Sequence, residues 1–332
     1  MKIIALEEHL GNQTLNAATK DLIASAYPYY ETFLKPNPAD APSIPDLIEA
    51  GERRVKELDA AGIDMEVLSY TDPTQWLTGA EGMATAKSAN DTLADCVKEY
   101  PDRFRAFATL CLDNPTAAAD ELRRTVKELG FVGWLISGRP QKGNVYLDDR
   151  MYDPLWQALT ELDLPVYIHP NYTGADVCKA YYSGLGDQID TVLSAYGFGW
   201  HIEAGMQVVR MILSGVFDRY PTLKVISGHW GETIPYFLPR MDQMMSPAVT
   251  GLAETFSTYF KRNIWVTPSG IYDNNDLEYC VGKLGIDRLL FSTDFPYIPL
   301  KGARDFIENS SLSDADKQKF ASQNAEKLLH IS

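Results

Sequence analysis

Asp294, in the segment LLFSTDFPY (Leu289 to Tyr297), has three distant groups of residues whose chemistry suits it. They are Glu7-Glu8-His9 at the end of the first apolar run, His169 closing VYIHP, and His229 in VISGHWGE. Each group closes a short β-branched or apolar stretch. Side chains alternate along a strand, so Glu7 and His9 project together while Glu8 points the other way. Two ligands spaced i, i+2 can grip one metal ion from one side, and His169 and Asp294 would close the site from later strands. Carboxylates and imidazoles without a thiolate suit Zn²⁺, Mn²⁺, Fe²⁺ or Co²⁺ alike. A lone strand-end histidine is more often a hydrogen-bonding residue of the structure than a ligand. Here three of the five histidines end such runs together with acidic groups, which favours a metal site of the open, catalytic kind.

A second pair is His229 and Glu232, in HWGE. The spacing predicts His229 at a strand end and Glu232 in the first turn of the helix that follows. The carboxylate could then bond one ring nitrogen, fix the tautomer and leave the other nitrogen facing a substrate. The competing explanation is that Glu232 only complements a helix N-terminus.

These residues need elements that bring their strand ends together. The chain alternates short apolar runs with amphipathic ones. The runs predict strands at Lys2–Glu8, Met65–Tyr70, Phe104–Leu110, Val132–Ser137, Val166–His169, Lys224–His229, Asn263–Ser269 and Leu289–Asp294. Helical patterns follow at Ile44–Ala61, Ala80–Glu99, Ala117–Leu129, Pro154–Leu162, Ile202–Val216, Ile234–Met245, Asp276–Leu284 and Asp314–Leu329. Eight strands each followed by a helix predict an α/β fold, a (β/α)8 TIM barrel whose strand C-termini share one catalytic face. No low-complexity linker interrupts the pattern, so residues 1–332 read as one domain. Two connections are longer than the usual few residues. Leu10–Ser43 carries Tyr27, Tyr29, Tyr30 and Phe33, and Pro170–Trp200 carries Tyr172, Tyr181, Tyr182 and Tyr196. Both follow a strand and so lie over the active face, where they would either receive a flat organic substrate or pack against each other or a second subunit.

The formal charge of −15 and a pI near 4.8 argue against nucleic-acid and anionic-membrane partners. They do not exclude an anionic substrate, because a metal or arginine can reverse the field inside a pocket. Cys96, Cys111, Cys178 and Cys280 lie far apart and are expected to be free thiols. With a strand-like start, MKIIALEE, and no run of ~20 apolar residues, the expected location is the cytoplasm.

The ordered set of segments resembles the amidohydrolase superfamily, and within it the metal-dependent nonoxidative aromatic acid decarboxylases. The resemblance spans nearly the whole chain. It runs through ALEEH, ERRVKELDAAGID (Glu52–Asp64), ANDTLAD (Ala89–Asp95), YPDRF, ELGFVG (Glu128–Gly133) and DLPVYIHP. It continues through GVFDRYPTLKVISGHWGE (Gly215–Glu232), RNIWVTPSG (Arg262–Gly270), RLLFSTDFPY and NAEKLL (Asn324–Leu329). It implies that Glu7, His9, His169 and Asp294 bind the metal and that His229 and Glu232 line the catalytic pocket. It also implies that Arg240, in FLPRMDQ, meets the substrate, in some relatives across a subunit interface, with Arg53 or Arg54 in a similar part. Superfamily hydrolases begin with HxH and bridge two metals with a lysine on the fourth strand. This chain has ExH and no lysine in VGWLIS, which implies one divalent ion, Zn²⁺ or Mn²⁺.

The activity implied is decarboxylation of an ortho-hydroxy aromatic acid to the phenol and CO₂, with Asp294 as proton donor, in a homodimer or homotetramer. The alternative is a mononuclear metal-dependent hydrolase of a lactone or amide. A barrel that keeps the site only for ligand sensing fits less well, since every expected ligand is present.

Overall fold

The computed structural model describes residues 1–35, 47, 50–141 and 144–331. Seven strands form two parallel sheets. β1 (Ile4–Leu10), β2 (Met65–Tyr70) and β3 (Phe104–Ala106) make one. β4 (Trp134–Ser137), β5 (Pro165–His169), β6 (Lys224–Ser227) and β7 (Ile264–Val266) make the other. The two are joined into a ring. A parallel bridge links Ala108 to Trp134, and another links Val266 to Leu289. Leu6 N then donates to Phe291 O at 3.1 Å, which brings the eighth segment back to β1. The expected barrel is therefore present.

The strand ends differ from expectation for a common reason. Leu289–Asp294 forms only an isolated bridge and no regular strand, and the expected runs to Leu110, His229 and Ser269 stop at Ala106, Ser227 and Val266. At this face, side chains replace the backbone ladder. Glu8 accepts from Thr293 N, Ser292 Oγ accepts from Ser269 N, and Ser269 Oγ accepts from His229 N. β1 begins later than Lys2 because Ile3 N is held by the Asp64 carboxylate at 2.8 Å.

β1 also carries an irregularity that decides the site. Ala5 pairs with Glu66 and Glu8 with Leu68, so β1 has one extra residue between these pairs. Before this bulge Ile4 and Leu6 face the barrel interior, in one cluster with Met65, Val67, Phe107, Leu135, Tyr167, Ile226 and Leu290. Ile3, Ala5 and Leu10 pack instead in the outer core beneath the helices. The extra residue restarts the alternation, a known effect of bulges beside active sites. Glu7 and His9 then face inward and Glu8 outward.

The helices follow the pattern with modest shifts. Pro115–Leu129 is typical: Asn114 caps it by accepting from Ala117 N, proline occupies its first position, and Gly130 ends it at φ +73°. The predicted Ile44–Ala61 lies partly outside the described residues, and its remainder is helical over Glu52–Ala61. Ile202–Val216 starts earlier, at Gly199, and ends at Leu213, while Asp314–Leu329 is interrupted by a π turn over Lys319–Gln323. Among the described residues no helix is long and apolar enough to cross a membrane.

The long connections contain helices of their own. Gln13–Ala26 and Tyr30–Phe33 come from the first; Ala175–Tyr181 and Asp187–Ser194 come from the second. They pack on each other. The Tyr172 ring lies 4.8 Å from Tyr27 and 5.1 Å from Phe33, and Phe33 lies 6.1 Å from Tyr196. The Tyr27 hydroxyl donates across the seam to Thr191 O at 3.0 Å. Together they form an aromatic roof.

Candidate active site

Glu7 and His9 come from β1, His169 from the last residue of β5, and Asp294 from the segment closing the barrel. Their ligand atoms all lie within 4.8 Å of one another. His9 Nε2 stands 3.1 Å from Asp294 Oδ1, and His169 Nε2 stands 3.4 Å from Glu7 Oε1. Glu7, His9 and His169 are buried, and the Asp294 side chain is 15 % exposed. Asp294 reaches inward from a left-handed backbone at φ +61°. Such a conformation is more accessible to aspartate than to most residues.

The opposite atoms of Glu7, His9 and His169 are secured. Tyr167 Oη and Ser269 Oγ both donate to Glu7 Oε2. His9 Nδ1 meets Ser69 Oγ at 3.1 Å, and His169 Nδ1 meets Ser137 Oγ at 3.3 Å. Among the described residues, Glu7 Oε1, His9 Nε2 and Asp294 Oδ1 are left buried with no hydrogen-bond partner. Buried polar atoms are normally paired, so three converging ones call for a group that the protein alone does not supply. Burial raises the Glu7 pKa, His229 opposes this, and Asp294 adds to it by repulsion. Burial, then the His9 and His229 rings, hold His169 well below the usual imidazole range and therefore neutral. A neutral His169 and crowded carboxylates fit a divalent cation.

Glu8 takes another task. Its carboxylate accepts from Thr293 N at 2.8 Å, from Thr293 Oγ1 and from Phe295 N at 3.3 Å, bracing the loop that presents Asp294.

His229 Nδ1 lies 2.9 Å from Glu232 Oε1, as the spacing predicted. The local structure differs. β6 stops at Ser227, and His229, Trp230, Gly231, Glu232 and Thr233 form a left-handed turn with φ between +47° and +79° before the helix Ile234–Met244. Glu232 is therefore in no right-handed first turn, which removes the helix-terminus explanation for it. Left-handed backbone costs about 1–2 kcal/mol per non-glycine residue, and such strain persists where a site over-determines it. The turn sets the His229 ring 6.5 Å from that of His169. Burial works against a charged His229, but Glu232 and then Glu7 outweigh it and lift its pKa to about 9. Burial also works against charge on Glu232, yet His229 and His201 together keep its pKa below the usual value.

The arginines divide. Arg54 is buried, pairs with Glu66 at 2.6 Å and donates to His9 O at 2.8 Å, so it braces β1 rather than facing a substrate. Arg53 lies at the surface and pairs with Glu57. Arg240 is exposed on the helix Ile234–Met244 and bonds Gln243 at 3.3 Å, outside the cluster of this protomer.

Several residues of the site were not singled out from sequence. Tyr167, Ser69 and Ser137 had a usable signal: they share the inward parity of the ligands on their own or the adjoining strands. His201, which bonds the second oxygen of Glu232, had none, since it lies within a helical stretch without a motif.

Comparison with known proteins shows the family. Residues 39–331 match the amidohydrolase family model. The chain belongs to the amidohydrolase family. It is 36 % identical over 301 residues to gamma-resorcylate decarboxylase of Polaromonas sp. (strain JS666), covering 86 % of this chain and 89 % of that protein. Among solved structures it resembles a dihydroxybenzoic acid decarboxylase from Polaromonas sp. JS666 with bound manganese and 2-nitroresorcinol. The TM-score is 0.85 at 32 % identity, covering 99 % of this chain and 97 % of that one. It also resembles a 5-carboxyvanillate decarboxylase from Novosphingobium aromaticivorans in complex with manganese and 4-hydroxy-3-methoxy-5-nitrobenzoic acid. There the TM-score is 0.89 at 32 % identity, covering 99 % and 96 % of the two chains.

Proposed function

We propose that this protein is a carboxy-lyase that removes CO₂, without oxidation, from an aromatic acid bearing an ortho hydroxyl, using one divalent metal ion. The observation that carries the reading is the convergence of three unpaired buried ligand atoms beside the His229–Glu232 pair. The named relatives, decarboxylases of hydroxylated benzoates, support the substrate class. Glu7, His9, His169 and Asp294 would hold the ion. Manganese in the two solved relatives favours Mn²⁺ over Zn²⁺ here. A divalent ion at this position supplies Lewis-acid polarisation and a chelation point for the carboxylate and phenolic oxygens.

The chain's own groups then divide the remaining work. His229, whose Nδ1 donates to Glu232, presents Nε2 toward the cluster, where it can hydrogen-bond the phenolic oxygen and stabilise charge on it. Asp294 lies at the rim of the cluster and is the proposed donor to the ring carbon. Asp294 would take the phenolic proton as that oxygen ionises; as the C–C bond breaks, its electron pair stays on the ring, the proton from Asp294 forms the new C–H bond and CO₂ departs. The aromatic roof excludes water above the ring. We also read residues 1–332 as one catalytic domain. The exposed Tyr236, Phe237 and Met244 beside Arg240 support a homodimer or homotetramer in which that arginine reaches a neighbouring site. Four cysteines without a disulfide favour the cytoplasm.

The test is incubation of Mn²⁺- and Zn²⁺-loaded protein with a panel of ortho-hydroxybenzoates. CO₂ and the matching phenol are expected from at least one. Product oxygen derived from ¹⁸O-labelled water would instead point to lactone or amide hydrolysis, since decarboxylation adds a proton and no oxygen.

A further inference from the structure

Glu232 is shared. Its side chain is wholly buried, and while Oε1 meets His229, Oε2 lies 3.1 Å from His201 Nδ1. The two imidazole rings stand 4.3 Å apart at 61°. We propose that His201 is a positioning residue of the active site, which holds the second oxygen of Glu232 and so fixes the carboxylate that orients His229. The inference rests on the decarboxylase reading for its kinetic consequence and on geometry alone for its structural one.

The donor roles follow from the partners. An ionised carboxylate only accepts, so both Nδ1 atoms carry hydrogens. His201 Nε2 receives the Trp200 indole N–H at 3.1 Å in the neutral ring and faces Tyr196 O at 3.1 Å for the cation. In either form Nδ1 still donates to Glu232. Without His201, Oε2 would be a buried acceptor with no partner, at a cost of about 1–3 kcal/mol or more for a charged group. Rotation or protonation would relieve that cost, and either would loosen the hydrogen bond that holds His229 Nδ1–H.

The helix carrying His201 is seated to make the contact. Gly205 lies one turn beyond His201 on the same face of Gly199–Leu213. A Cβ there would stand 2.9 Å from Glu232 O and 3.2 Å from its Cβ, so only glycine allows the helix this close. On the other side, His201 is tied through Tyr196 and Trp200 to the roof, since the Tyr196 ring packs on Trp200 at 5.8 Å and on Phe33 at 6.1 Å. His201 thus joins the cover over the substrate to the pair beneath it.

The experiment compares His201→Phe, which keeps a ring without a donor, with His201→Asn, which keeps a side-chain N–H. In metal-loaded enzyme, His201→Phe is expected to lower kcat about 10- to 100-fold with KM within about twofold, and His201→Asn to recover most of it. In parallel, ¹⁵N imidazole spectra are recorded on metal-free and zinc-loaded protein, where only five histidines need assignment. His229 Nδ1–H should give one hydrogen-bonded resonance in the wild type and in His201→Asn, and a broadened or lost one in His201→Phe. An unchanged His229 Nδ1–H resonance in His201→Phe, or equal loss of kcat in both variants, overturns the inference. If the wild type decarboxylates nothing, the function reading fails while the spectra still decide the role of His201.

Discussion

At the scale of single residues, the site separates groups that do chemistry from groups that aim them. Asp294→Asn keeps size and loses the proton, so kcat should fall by about 10²- to 10⁴-fold, measured as phenol release, while circular dichroism stays unchanged. Ser137 acts at one remove. Its hydroxyl holds His169 Nδ1, and Asn171 Nδ2 donates to it at 2.8 Å. Ser137→Ala should weaken metal binding by about 10- to 100-fold in a competition titration, with the fold intact. The clustering of Glu7, His9, His169 and Asp294 was legible because acid and imidazole at strand ends are rare and distinctive. Their supports were less so: serine and tyrosine occur everywhere, and only parity relative to a known ligand marks Ser69, Ser137 and Tyr167 out.

At the scale of elements, the passage from β6 into the left-handed turn is the tightest part of the site. A Cβ at Gly228 would lie 2.8 Å from Ser269 Oγ and 3.2 Å from Glu7 Oε2. Gly228→Ala should therefore displace Ser269, Glu7 or the turn itself. The expected outcome is a loss of metal per protomer by elemental analysis, together with a Tm decrease. A variant with full metal occupancy and unchanged Tm would mean that the turn yields easily. Sequence pattern found the strand and the helix on either side but missed this turn, because Trp230, Glu232 and Thr233 are not residues that favour positive φ. The strain is imposed by tertiary contacts, among them Trp230 N on Thr267 O and His229 N on Ser269 Oγ. Likewise the roof helices escaped notice. Tyr27, Tyr172 and Phe33 announced an aromatic region, whereas the partner each ring would choose depended on the fold.

At the scale of the whole molecule, a chain with net charge −15 concentrates two carboxylates and two imidazoles in one largely buried cluster. A bound cation relieves the repulsion between Glu7 and Asp294, and binding that favours the native state stabilises it by mass action. Free metal at 100-fold over Kd adds about 2.7 kcal/mol, so chelation should lower Tm measurably and reloading should restore it. Equal Tm with and without metal would argue against ion binding at this cluster. The barrel itself was readable from βα alternation. Its eighth segment was readable in position but not in form, since Leu289–Asp294 gives up ladder pairing for contacts from Glu8 and Ser269.

The bulge in β1 has a consequence for anyone moving this centre into another protein. Leu6 and Glu7 both face the interior because one residue is counted twice against β2. Grafted onto an even-paced strand in phase with Leu6, the same letters would aim Glu8 at the ion and turn Glu7 and His9 outward. The transplant must carry the miscount along with the ligands. Ironing out the bulge with every residue kept would exchange the jobs of two adjacent glutamates without changing any side chain.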